Sequence, residues 1–134
     1  MVRTPSRAPV FALAGWTLFV WATRIRNAMA DDDLSGGSKA VAVTVATLFT
    51  LGGLAVLIAA IRRTHLAIAV RALAAFTIVY WPVRVVQIIA AGHGVGFTVV
   101  HAVLGVISVS LAAWAWTSQA GQRAPRAAGV LPGR

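Results

Sequence analysis

The sequence predicts an all-α membrane protein of four transmembrane helices. Three observations carry this: four apolar blocks near span length, little charge inside them, and basic residues gathered at their ends. Of the 134 residues, 59% are hydrophobic and 11% charged, with mean hydropathy +0.82. A soluble domain of this size needs more charge to cover its surface. The chain is also too short to hide blocks of this length in a large core.

The elements follow in order. Residues 1–9 form a polar lead-in with Arg3, Arg7 and two prolines. The first block runs from Val10 to Ile25 and continues helically to about Ala30. A polar loop is expected from Asp31 to Lys39. The second block, Ala40 to Ile61, carries no charge and is the clearest span. Arg62-Arg63-Thr64-His65 makes a basic turn. A third block runs from near Leu66 to Ala91, with Arg71 in its first turns and Pro82 expected to kink it. After the glycine-rich turn Gly92–Gly96 comes the fourth block, Phe97 to Trp116. Residues 118–134, rich in Gly, Pro, Ala and Arg, read as a disordered basic tail.

Charge gives the orientation. In a four-span chain Arg3, Arg7, Arg62, Arg63, Arg71, Arg123, Arg126 and Arg134 fall on one side, against Arg24, Arg26, Lys39 and Arg84 on the other. The positive-inside rule places the first side, with both termini, in the cytoplasm. The net charge of +9 therefore reads as topology, not as a nucleic-acid surface, because it forms no single basic face. Trp21, Tyr80 and Trp81 would join one aromatic belt, Trp114 and Trp116 the other. Ala28-Met29-Ala30 imitates a signal cleavage site, but Arg24 and Arg26 stand just before it, and the first helix is expected to be retained. One lysine, Lys39, among 12 basic residues and the abundance of Ala, Val, Gly and Arg point to a high-GC bacterium, an actinobacterium, and so to a bacterial plasma membrane.

A repeat is visible at an offset of sixty residues. Thr17, Trp21 and Arg24 match Thr77, Trp81 and Arg84, with similar residues between them. The chain is thus expected to be two tandem hairpins, residues 10–65 and 66–117, related by a pseudo-two-fold axis along the membrane normal. Thr, Trp and Arg at i, i+4 and i+7 share one helix face. If the two stripes meet, Arg24 and Arg84 form an anion or lipid-headgroup site. If they face lipid, each Arg snorkels and each Trp belongs to a belt. An Arg–Trp cation–π contact is open to both stripes.

His101, one turn inside the fourth block, is a candidate polar intramembrane site. A bis-histidine haem would need a second His at that depth, whereas His93 lies in a turn and His65 at the opposite interface; a hydrogen bond to neighbouring backbone or hydroxyl is expected instead. Asp31-Asp32-Asp33 reads as a solvated loop, since three consecutive carboxylates do not wrap a calcium ion. The chain has no Cys, which removes thiolate metal sites and disulfides. With no Glu and no Asp inside a span, proton-coupled transport lacks its usual carboxylate. No nucleophile–base pair, metal-ligand cluster or phosphate loop is present, so neither enzymatic activity nor a cofactor is expected. Small residues at Gly105, Ser108 and Ala112, and at Gly52, Ala55 and Ala59, suit close helix packing, within the chain or in a homo-oligomer or larger complex.

Trp21-x2-Arg24-x2-Asn27, the acidic loop at Asp31, then Phe97-x2-Val100-His101 with Ser108, is similar to short actinobacterial membrane proteins in which one hairpin forms the whole chain. The likeness covers most of residues 16–117, and Trp81, Arg84 and Gln87 resemble its start again. It implies a membrane hairpin and no catalytic residues. Thr44 falls near the place of His101 in the first unit. The expected role is a non-enzymatic accessory protein binding lipid or partner helices; the alternative is a small carrier or ligand-binding protein using Arg24, Arg84 and His101.

Overall fold

The computed structural model describes residues 7–120. The tail segments 1–6 and 121–134 lie outside the described residues. Helix α1 spans Ala8–Ala30, α2 Gly36–Arg62, α3 Leu66–Ala90 and α4 Val95–Ala120. All four are long and apolar enough to cross a membrane, so the chain is a candidate multi-pass membrane protein.

Local chemistry sets the ends. Pro9 sits in the first turn of α1, where a missing N–H costs nothing. Asp31 turns the chain, its Oδ1 accepting the Asp33 N–H at 3.0 Å. Ser35 then caps α2 by accepting the Ser38 N–H at 3.3 Å. That cap draws Gly36–Lys39 into the first turn of α2, so the polar loop is shorter than its composition suggests. Lys39 Nζ reaches back to the Met29 carbonyl at 3.5 Å. At its far end α2 stops because Arg63 adopts a left-handed conformation, and His65 does the same before α3. Gly92, at φ 70°, closes α3; its N–H bonds Ile89 while that of Ala91 bonds Gln87, the arrangement in which glycine ends a helix without steric cost. Pro82 lies inside α3, which runs on past it to Ala90. Helix α4 extends beyond Trp116 to Ala120, so residues 118–120 are helix, not tail.

Packing is strongest between α1 and α2 and between α3 and α4, consistent with two hairpins; α2 also meets α3, and α1 meets α4. The helices therefore ring the bundle in chain order, with α1 and α3 on a diagonal. Arg7 Nη1 donates to the Ala60 carbonyl at 3.2 Å, tying the start of α1 to the last turn of α2, where the helix dipole favours a cation. Trp16 Nε1 donates to Ser108 Oγ at 2.9 Å, joining the hairpins across the α1–α4 seam.

Small residues dominate the buried faces of α2 and α4, where Phe49 is the large exception, and large apolar residues cover much of the outside, as expected where lipid replaces water. Buried positions are Ala46, Phe49, Gly53, Val56, Ala59 and Ala60 on α2, and Gly105, Ser108, Ala112, Ala115 and Gln119 on α4. The α4 stripe is the expected one. On α2 Ala59 is buried as expected and Gly52 lies close against Leu73, whereas Ala55 is exposed and Gly53 takes the buried place. A Cβ on Gly53 would lie 3.2 Å from Leu18 and 3.3 Å from Thr17, so this glycine sets how closely α1 approaches.

Burial recurs along the chain. From Thr17 to Ala30, each residue is buried, half-buried or exposed as is the residue sixty places on, from Thr77 to Ala90. Val10, Leu13 and Ala14 are matched by Val70, Leu73 and Ala74, all buried and the same in type. The buried stripes of α2 and α4 coincide at an offset of fifty-nine, pairing Ala46 with Gly105, Phe49 with Ser108 and Ala60 with Gln119.

Candidate functional site

The Thr-Trp-Arg stripes divide by depth. Thr17 and Thr77 lie deepest and are buried. Thr17 packs on Gly53, and Thr77 Oγ1 donates to the Leu73 carbonyl at 2.8 Å, so its hydroxyl is occupied by its own helix. Neither lines a cavity with the arginines. Both threonines serve helix packing.

One turn further along stand Trp21 and Trp81. They are 5% and 4% exposed, and this corrects their assignment to an aromatic belt. A belt tryptophan meets lipid headgroups, whereas these fill the centre of the bundle. Trp21 stacks on Phe49 with ring centroids 4.0 Å apart, and meets Tyr80 edge-on at 5.3 Å and Trp81 at 6.0 Å. Phe49 also stacks on Phe76 at 4.6 Å. The tryptophans thus spend their rings on aromatic neighbours, each such pair worth about 0.5–1.5 kcal/mol beyond burial. The Trp81 indole N–H is buried without an acceptor.

Arg24 and Arg84 come next, each six residues before its helix ends and so about 9 Å inside that end. Both line one cavity of about 260 Å³ between the hairpins, together with Trp21, Tyr80, Trp81 and His101. Both also border a wider hollow of about 670 Å³ that reaches the loop residues Asp31, Leu34 and His93. Neither guanidinium has a hydrogen-bond or ion-pair partner among the described residues. The whole chain carries three acidic side chains, Asp31, Asp32 and Asp33, all exposed in the loop. Two like charges therefore share a cavity that no acidic side chain lines, while Asp31 stands on the border of the wider hollow.

His101 completes the wall. Its Nδ1–H donates to the Phe97 carbonyl at 2.8 Å, the backbone bond expected for it. A carbonyl only accepts, so the ring hydrogen is on Nδ1 and Nε2 is left for a ligand. The ring packs on Phe97 at 4.0 Å, and both guanidiniums are within Coulomb range of it and of the Tyr80 hydroxyl. Tyr80 and Asn27 are wall residues that the sequence reading passed over. Tyr80 was assigned to a belt, and its position next to Trp81 and one turn before Arg84 was the available signal. The first unit has no histidine at the place of His101: at the offset that superposes the buried stripes of α2 and α4, Ala42 holds it, with Thr44 nearby.

Among the described residues no three His, Cys, Asp or Glu side chains gather as a metal site. The arrangement suits electrostatic capture of an anion, with aromatic rings as its floor. No protein-family model matches the chain, and no curated protein and no solved structure is significantly similar to it.

Proposed function

We propose that this chain is a non-enzymatic bacterial plasma-membrane protein that binds an anionic group, a phosphate or carboxylate, between Arg24 and Arg84. The observation that carries this reading is the placement of both guanidiniums on one cavity that no acidic side chain lines. Intramembrane charge is expensive unless paired, and two unpaired cations in one recess create a demand that an anion meets. His101 Nε2 adds a group that can accept from, or when protonated donate to, the same ligand. This favours the ligand-binding alternative over a purely accessory role.

Two further features belong to the same proposal. The chain is read as a duplicated hairpin with a pseudo-two-fold axis along the membrane normal, supported by the recurring burial at offsets of sixty and fifty-nine residues. Both termini are assigned to the cytoplasm by the distribution of arginine, which puts the cavity near the outer face.

The test is native mass spectrometry of the protein released from membranes of mixed lipid composition. Retention of anionic species by the wild type and its loss, by about tenfold or more, in an Arg24→Gln/Arg84→Gln double variant is expected. Equal retention by the two would overturn the proposal.

A further inference from the structure

We infer that the bound anion is the headgroup of an amphiphile that reaches the cavity sideways from the bilayer, through the gap between α1 and α4. This rests on the anion-site reading above and names its ligand class: an acidic membrane lipid.

Four observations point the same way. The first is size. A cavity of about 260 Å³ falls just under the roughly 300–1,000 Å³ of sites that enclose a whole small ligand. It holds a headgroup, and any tail must lie outside it.

The second is where the wall opens. Phe19 and Val100 line the cavity from α1 and α4 and are 67% and 56% exposed. At this depth of a membrane helix, exposed means facing lipid. The seam between these helices is closed one turn deeper by the Trp16–Ser108 bond, so the opening lies at the level of the arginines.

The third is the contrast with the opposite seam, between α2 and α3. There Phe49, Phe76 and Tyr80 stack into a plug, with Tyr80 5.1 Å from Phe49. At the α1–α4 seam the positions that correspond to Phe76, Phe49 and Tyr80 hold Trp16, Ser108 and Val20; Trp16 and Ser108 close that seam at depth, and Val20 leaves it open where Tyr80 fills the other. The seams thus differ at the level of the arginines, where Tyr80 on one side faces the smaller Val20 on the other.

The fourth is electrostatic. The hollow that leads from the arginines toward water is bordered by Asp31, with Asp32 and Asp33 beside it. A water-borne anion must pass Asp31, whereas no acidic side chain lines the lateral approach; Arg26 and Lys39 at the same end keep the mouth from being negative overall.

The experiment reconstitutes the full chain in phosphatidylcholine nanodiscs doped with phosphatidylglycerol. Lipids retained on release are read by native mass spectrometry, with and without millimolar glycerol phosphate as a tailless competitor. Expected is selective retention of phosphatidylglycerol, not displaced by glycerol phosphate, and weakened about tenfold by Val20→Tyr, which copies Tyr80 into the open seam. Val100→Trp narrows the same opening from a lipid-facing position and guards against a folding artefact; the same weakening is expected. Undiminished retention in both variants, or displacement by glycerol phosphate, overturns the lateral, tailed ligand while leaving the anion site standing. Undiminished retention by Arg24→Gln/Arg84→Gln overturns the anion site itself, and this inference with it.

Discussion

At the scale of single residues, the polar groups separate into those that hold the bundle and those left facing the cavity. Trp16 and Ser108 belong to the first kind. Removing the hydroxyl in Ser108→Ala leaves the Trp16 N–H without an acceptor. Membrane hydrogen bonds of this kind contribute modestly, so a loss of about 0.5–1.5 kcal/mol is expected, measured as a lower unfolding midpoint in detergent. An unchanged midpoint would mean that the hydroxyl tie is not what holds the α1–α4 seam. The arginines were legible in the sequence, because charge inside an apolar block stands out against its neighbours. The roles of Trp21 and Trp81 were not. A tryptophan near a helix end reads as a belt residue, and only the positions of Phe49 and Tyr80 on other helices turn it inward. Thr17 and Thr77 were read as part of the polar stripe, yet hydroxyls can spend themselves on their own helix.

At the scale of elements, the four spans were legible within a few residues, since long apolar blocks need no tertiary context. Their ends were less so. Gly36, Gly37 and Ser38 resemble loop by composition, and the Ser35 cap decides otherwise. On α2 Gly52 and Ala59 were legible as packing residues and the exposure of Ala55 was not, for a physical reason: a helix apolar on every side has no polar face to fix its rotation. The α4 stripe was legible because its interior positions are small while its neighbours are not. Joining the hairpins is a turn of Arg63, Thr64 and His65 in which Arg63 and His65 have positive φ, at 59° and 54°. A side chain there costs about 1–2 kcal/mol, against about 0.5–1 kcal/mol for the extra freedom glycine brings to the unfolded chain. His65→Gly should therefore raise the unfolding midpoint slightly. A lower midpoint would assign the His65 side chain a role beyond the turn.

At the scale of the whole molecule, the proposed orientation rests on charge alone, and the absence of Cys makes it directly measurable. Asp33→Cys and Thr64→Cys place single thiols in loops at opposite ends of the bundle. In intact spheroplasts a membrane-impermeant maleimide should label the first and spare the second until the membrane is opened. The reverse pattern would invert the topology and turn the cavity toward the cytoplasm. The repeat was visible in the sequence through Thr, Trp and Arg, while its extension to Val10, Leu13 and Ala14 was hidden among similar apolar residues. What the sequence could not display was the asymmetry between the seams, because Val20, Tyr80, Phe49 and Ser108 lie on four different helices.

The turn between α2 and α3 has a further consequence. From Arg62 to Leu66 the chain can reach at most about 14 Å, so the hairpins are held at a high effective concentration of one another. Two separate hairpins could escape the mutual repulsion of Arg24 and Arg84 by drifting apart in the bilayer. Tethered this closely, they keep the two charges together, which is the condition the proposed anion site requires.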